Sequence, residues 1–168
     1  ETSITVGAVD YRNAEAPVAE YFSSYGGELP NGTLLGSDIY APDGGNTSVE
    51  SIGQLATCPT CDGDEFNNFY GTSAAAPHSA AAAALLMSAA QAWFPPTEAN
   101  LTAGLKTSYS NDQAMQAFKS TATSFTAADG STGLFLNTLA AFKSIAAQTA
   151  KITELIVHDT ITPSAEPF

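Results

Sequence analysis

The chain has 168 residues, 44% of them hydrophobic, which is enough for one domain with a sizeable core. It carries 17 acidic against 5 basic residues, a formal net charge of -12. This charge excludes a basic surface for phosphate groups, so we expect no nucleic-acid partner and no binding to anionic membranes. No apolar run reaches the length of a membrane span.

Two short strands are predicted in the first third of the chain. The stretch from Ile4 to Val9 is typical of a buried strand that ends at Asp10. A loop rich in Asn, Gly and Pro follows. A second strand is predicted from Leu34 to Ala41, stopped by Pro42. Residues 43–69 then read as a long acidic loop.

The acidic loop holds both cysteines of the chain, Cys58 and Cys61. Because polar loop flanks them on both sides, a small disulfide is favoured over a redox-active pair, and a zinc site lacks nearby ligands. Asp62 and Asp64 place oxygen atoms at alternate positions, which suits calcium, although the spacing does not complete an EF-hand loop. The alternative interpretation is a solvated loop without metal.

A long helix is predicted from about Ser73 to Ala92. Pro77 lies in its first turn, where a missing N–H costs little. The side chains that follow are small on every side, which predicts a buried helix. A serine at such an N-terminus suits a nucleophile, because free N–H groups and the helix dipole stabilise an oxyanion.

Further helices are predicted towards the C-terminus. Thr97 reads as the N-cap of a second helix and Ser110 as the N-cap of a third. A fourth, from Leu134 to Thr149, places apolar residues at helical spacing. The residues expected in the core are Ala114, Met115 and Phe118 in the third helix and Leu136, Leu139, Phe142 and Ile145 in the fourth. Residues 121–132 read as a polar connection, and residues 151–168 as a tail, a linker or an edge strand.

The residues around Ser73 resemble those of a known family. The run Gly-Thr-Ser-x-Ala-x-Pro-His at residues 71–78 is similar to the nucleophile motif of the subtilases, the subtilisin-like serine proteases. Flanking segments resemble neighbouring parts of that domain in family order, namely residues 4–10 and 21–26, residues 37–44 and residues 133–137. The resemblance implies that residues 1–150 form the C-terminal half of a subtilisin-like α/β catalytic domain, with a mostly parallel sheet flanked by helices.

The resemblance also implies roles for individual residues. Ser73 corresponds to the nucleophile, and its own N–H to an oxyanion donor. Gly71 allows the close approach of a substrate backbone, and Thr72 shapes the turn. Asp10 stands where proteinase K-like subtilases help to bind calcium, although an acid that caps a strand end is the simpler interpretation. No cofactor is required for the reaction.

The residues that would activate Ser73 are not apparent in the sequence. The family's catalytic Asp and His and its oxyanion Asn precede the strand at Ile4, and no histidine precedes Ser73 here. His78 is more than one helical turn from Ser73 and is structural in the family, and nothing in the spacing favours His158 as a base. We therefore expect this chain, which begins with Glu1 like a processed product, to be nearly inert alone.

The missing N-terminal half of the domain is the expected partner, either in the same precursor or as a separate chain. The intact protein is expected to be a secreted or extracytoplasmic serine endopeptidase that acts on polypeptides. A separate partner chain predicts a large apolar surface on this one. A different class remains open, a non-catalytic binding or structural module that retains the half-fold and cleaves nothing.

Overall fold

The computed structural model describes residues 3–23, 30–32, 36–47, 67–105 and 107–159, with side chains as far as residue 148. The predicted disulfide between Cys58 and Cys61 lies outside the described residues, as do the candidate calcium ligands Asp62 and Asp64.

A four-stranded sheet forms the centre of the molecule, in the order β1-β2-β6-β5. Its strands are β1 (Val6–Asp10), β2 (Ile39–Asp43), β5 (Thr123–Thr126) and β6 (Thr132–Phe135). β1 and β2 run parallel, as do β2 and β6, whereas β5 is antiparallel to β6. The sheet is therefore mostly parallel, as predicted. Two shorter strands, β3 (Asn46–Thr47) and β4 (Asn67–Asn68), pair separately.

Strand β2 continues through Pro42, which was expected to stop it. Ile39 N–H donates to the Thr5 carbonyl of the β1 side, whereas the Tyr40 carbonyl accepts from Leu136 N–H on the β6 side. Pro42 lies two residues after Tyr40, so its nitrogen also faces β6. The pairing of β2 with β6 extends only as far as Tyr40. A missing N–H costs nothing there, because no ladder acceptor lies opposite.

Helix α1 (Thr72–Trp93) follows the predicted bounds within one residue at each end. It packs on β1 and β2 through one face, whose buried residues are Ala74, Ala75, Ala82, Leu86 and Ala90. Much of the remaining helix surface is exposed, including Ala80, Ala84 and Leu85. The expectation of a helix buried on every side is thus correct for one face only.

The next two helices begin at the predicted caps. In α2 (Glu98–Thr102) the Thr97 side chain accepts from Asn100 N–H, and in α3 (Asn111–Thr121) the Ser110 side chain accepts from Gln113 N–H. Both are capping boxes, because the side chain at the third position also accepts from the cap N–H. In α3, Ala114 and Phe118 are buried as expected, while Met115 is half-buried.

The segment after α3 differs from the prediction. Residues 123–126 and 132–135 form the β5–β6 hairpin rather than a polar connection, and its turn contains Gly130 at φ 84. The last helix, α4 (Thr138–Asp159), begins after β6 instead of at Leu134, and Asn137 caps it by accepting from Ala140 N–H. Residues 151–159 continue this helix, so no edge strand forms there.

The new start of α4 changes which residues it buries. Ile145 is fully buried as predicted and Phe142 is half-buried, but Leu139 is 65% exposed. Ala141 takes the core position instead. The main core joins α1, α3, α4 and β2, through residues that include Ile39, Leu86, Phe118, Ala141 and Ile145. Within the described chain, no helix is both long and apolar enough to cross a membrane.

Candidate active site

The predicted nucleophile lies in the first turn of α1. Gly71 is the N-cap residue and has a φ of 130°, a backbone conformation that favours glycine. Its carbonyl accepts from Ala74 N–H at 2.8 Å and from Ala75 N–H at 3.2 Å. Ser73 is exposed, and within the described part of the chain nothing accepts a hydrogen bond from its N–H. That amide is therefore available to an oxyanion at the positive end of the helix.

Two carboxylates meet beneath this turn, at the carboxyl ends of β1 and β2. Asp10 and Asp43 are register partners in the parallel ladder, 5% and 0% exposed. Asp43 Oδ2 accepts from Gly71 N–H at 2.8 Å. Burial raises the pKa of the Asp43 carboxyl, the hydrogen bond from Gly71 opposes this, and the charge of Asp10 adds to the increase. The end of β2 thus contacts the turn at residues 70–73 directly. This turn is called the nucleophile turn below, after the predicted role of Ser73.

Arg12 neutralises one of the two carboxylates and reaches the residue before Gly71. Its Nε and Nη2 donate to both carboxylate oxygens of Asp10, which also accepts from the Arg12 backbone N–H. Arg12 Nη2 donates to the Tyr70 hydroxyl at 3.1 Å. Burial raises the pKa of the neighbouring Glu20, and the charges of Asp43 and Asp10 raise it further. The chain between β1 and β2 therefore supplies the cation of this acidic region.

The carboxylate of Asp10, the candidate metal ligand, is thus bound to the guanidinium group of Arg12. Among the described residues, no three His, Cys, Asp or Glu side chains are arranged to hold a metal ion. Calcium at Asp10 stays a prediction, and an ion there would have to replace Arg12.

His78 contacts the helix backbone. Its Nδ1 lies 2.8 Å from the Ala74 carbonyl, which can only accept, so Nδ1 carries the proton and donates. His78, Ala74 and Pro77 line a cavity of about 190 Å³ that also contacts Asn46, Thr47 and Phe69. This hydrogen bond ties the imidazole to its own helix, in agreement with a structural role.

The hairpin β3–β4 carries the chain into the nucleophile turn. Gly44 N–H donates to the Phe69 carbonyl, and Phe69 N–H donates to the Gly45 carbonyl. The buried Asn68 side chain donates to the Gly44 carbonyl and to Asn46 Oδ1, both at 2.9 Å. Tyr70 follows at the end of β4. The chain that leaves β2 is therefore bonded to the chain that enters α1.

The structure brings together Ser73, Thr72, Gly71 and Asp10 of the predicted site residues. It adds Asp43, Arg12 and Tyr70, which sequence reasoning did not assign to the site. One signal was present: both predicted strands are followed by an aspartate, and the carboxyl ends of adjacent parallel strands lie side by side.

A family model described as the subtilase family matches residues 1–134 of the 168. No curated protein and no solved structure matches the chain. The match includes β1, β2 and the nucleophile motif, and it agrees with the mostly parallel sheet and with the helix that starts at the motif. The chain therefore belongs to the subtilase family.

Proposed function

We propose that Ser73 is the nucleophile of a serine endopeptidase whose base and orienting acid come from a segment outside this sequence. The observation that carries the proposal is an exposed serine at the second position of α1, two residues after the positive-φ residue Gly71 and within the family motif. Membership of the subtilase family supports the reaction class.

In this reaction Ser73 Oγ attacks the carbonyl carbon of the scissile peptide bond, and the hydroxyl proton passes to the base. The substrate oxygen gains negative charge, and Ser73 N–H donates to it. Collapse of the intermediate breaks the C–N bond, the base returns its proton to the leaving amine, and water then hydrolyses the acyl-enzyme. The described residues supply the nucleophile, one oxyanion donor and the turn.

The base is the part that the described residues lack. The His78 imidazole is bonded to its own helix at Ala74 and not to Ser73, and no described side chain accepts a hydrogen bond from Ser73 Oγ. The isolated chain is therefore nearly unreactive, because a serine hydroxyl without a base is a poor nucleophile. The N-terminal half of the domain supplies the base, as part of one precursor or as a separate chain.

The partner half covers the β1 side of the sheet. β1 is the last strand of the sheet among the described residues, and its outer edge is bonded at Ala8 and Val9 by residues 19–23. Ile4 is 47% exposed beside this edge and lines an apolar cavity of about 180 Å³ together with Ala76, Ala80 and Met115. Apolar side chains of the partner fill this cavity.

Fluorophosphonate labelling read by intact mass tests the proposal, with Ser73→Ala as the control. Oγ displaces fluoride from phosphorus only when a base takes its proton. We expect no labelling of the chain alone, and labelling at Ser73 once the N-terminal half is added. Labelling of the chain alone would contradict the inert-chain proposal, and failure after complementation would contradict the peptidase.

A non-catalytic module is the second candidate, favoured by the observation that no described side chain accepts a hydrogen bond from Ser73 Oγ. It predicts that Ser73 remains unlabelled in every assembly, although the two halves bind each other. Binding measured by size-exclusion chromatography, alongside the labelling, separates the two candidates.

A further inference from the structure

The Asp43 carboxylate is buried in a way that needs a reason. It is 0% exposed at the end of β2, and burying a carboxylate is costly unless its oxygens are well partnered. Oδ2 accepts from Gly71 N–H, but Oδ1 has no hydrogen-bond partner among the described residues. Asp10 lies alongside and adds a second negative charge. Stability alone does not favour this placement, because an apolar residue would avoid the burial cost.

Among the described residues, the Asp43 side chain is bonded to Gly71 N–H, two residues before Ser73. Gly71 N–H is held by Asp43, while the Gly71 carbonyl is held by the N–H groups of Ala74 and Ala75. Because glycine has no Cβ, Gly71 can adopt several backbone conformations besides the observed one at φ 130° unless both of its peptide groups are fixed. When both peptide groups of Gly71 are fixed, the chain leaves Gly71 in one direction. The Oγ and the N–H of Ser73 are then held in one orientation.

We propose that Asp43 is a positioning residue for Ser73, acting through the hydrogen bond from Gly71 N–H to Asp43 Oδ2. This inference rests on the proposed function, in which Ser73 is the nucleophile. Asp43 does not contact the substrate. It fixes the turn so that Oγ and the oxyanion donor are in place before substrate binds, which is where misplacement by about 1 Å costs the most rate.

A second contact holds the preceding residue in the same way. The Tyr70 ring lies so close to Gly44 that a Cβ built there would be 2.5 Å from Tyr70 Cε1. The Tyr70 hydroxyl accepts from Arg12, which is bound to Asp10. Residues 70 and 71 are thus both tied to strand ends. Arg12, which is bound to Asp10 of β1, bonds Tyr70, and Asp43 of β2 bonds Gly71.

The test compares phosphonylation kinetics in the chain assembled with its N-terminal half. Asp43→Ala removes the acceptor, and Asp43→Asn keeps an oxygen that accepts from Gly71 N–H. Asp38→Ala is the matched control, because Asp38 precedes the other end of β2 and bonds Thr5 and Lys119. We expect Asp43→Ala to lower the maximal labelling rate about tenfold or more, with the half-saturating reagent concentration unchanged.

Rescue distinguishes positioning from general destabilisation. Asp43→Asn is expected to label within roughly threefold of wild type, and Asp38→Ala at the wild-type rate despite a lower melting temperature. Asp43→Ala that is folded and labels normally overturns the proposal. So does Asp43→Asn that is as slow as Asp43→Ala, because the acceptor oxygen is then not what matters.

A second readout does not depend on activity. In the same protein, made with isotope-labelled glycine, the Gly71 amide is expected to resonate downfield and to exchange slowly in wild type and Asp43→Asn, and to lose both properties in Asp43→Ala. A Gly71 amide that Asp43→Ala leaves unchanged overturns the positioning proposal alone. Wild-type protein that never labels contradicts the proposed function instead, while the Gly71 amide still decides the Asp43 contact.

Discussion

The two ends of β2 use the same residue type in opposite ways. Asp38, just before the strand, is partly exposed, accepts from Thr5 N–H and Oγ1 at about 3 Å, and forms an ion pair of 2.7 Å with Lys119 of α3. Asp43, at the other end, is fully buried beside Asp10 and holds Gly71. One aspartate joins elements of the scaffold, and the other holds the nucleophile turn at a cost in desolvation.

The pKa directions express this difference. Burial alone would raise the pKa of Asp38, but the hydrogen bonds from Lys119 and Thr5 outweigh it and lower the pKa. At Asp43 burial prevails and the pKa is raised. Ionisation therefore stabilises the fold at the Asp38 end of the strand and opposes folding at the Asp43 end, where the turn needs an acceptor.

The largest effect is expected at the glycine next to Asp43. Gly44→Ala places a Cβ 2.5 Å from the Tyr70 ring on a residue with φ 72, so we expect a loss of about 3 kcal/mol in the free energy of unfolding. Gly45→Ala is the control, because a Cβ there meets nothing within 4 Å. Urea denaturation compares the two. Equal losses would show that Tyr70 is not packed on Gly44.

The next largest effect is expected for Arg12→Ala, a loss of about 2 kcal/mol in the free energy of unfolding. The substitution leaves the buried Asp10 carboxylate without its cation next to Asp43. The exposure of Arg12 limits the value of the pair itself. Adding Asp10→Asn should recover most of the loss in a double-mutant cycle. Purely additive losses would contradict the pairing.

At the scaffold end, Asp38→Asn is expected to lower the free energy of unfolding by about 1 kcal/mol, since it removes a partly exposed ion pair with Lys119. The loss should be smaller at high salt. Thermal melts at two ionic strengths measure it, and Lys119→Met should give a similar loss. A loss that salt does not change would mean that packing, not charge, holds α3 here.

The smallest effect concerns pH, and its sign differs between the two ends. The lowered pKa of Asp38 gives stability that is present above its ordinary pKa and is lost as pH falls through the folded value. The raised pKa of Asp43 does the reverse: its stability is present at low pH and is lost as pH rises through the folded value.

The free energy of unfolding of wild type minus that of Asp38→Asn should therefore be positive near neutral pH and should vanish in acid. Asp43→Asn should be no less stable than wild type near neutral pH, and its advantage should shrink as pH falls. Denaturation between neutral and acid pH measures both differences. The same pH dependence for both variants would remove the contrast between the strand ends.

Local signals predicted the helices well and the sheet only in part. Thr97 and Ser110 cap their helices through bonds three residues away, so the capping pattern is visible in sequence. The β5–β6 hairpin was missed because its strands alternate weakly and carry Thr and Ser at exposed positions. Once β6 takes residues 132–135, α4 starts later and Leu139 turns outward.

The same distinction between local and long-range signals applies to the candidate site. The motif at residues 71–78 is contiguous, so Ser73, Gly71 and the start of α1 could be predicted. The bond from Gly71 to Asp43 joins residues 28 positions apart, and Arg12 reaches Tyr70 across 58 positions. Hydrophobic periodicity in the sequence does not indicate such pairs, because it is the parallel register of β1 and β2 that brings these residues to one edge of the sheet.

The paired strands β3 and β4 have a consequence for how this part of the gene can change. They bond residues 46–47 to residues 67–68, so the chain entering α1 is fixed to the chain leaving β2 whatever lies between. The entropy of closing a loop grows only slowly with its length. A change in the number of residues between Thr47 and Asn67 is therefore expected to alter the closure entropy little and to leave the β3–β4 pairing, and with it the entry to α1, in place.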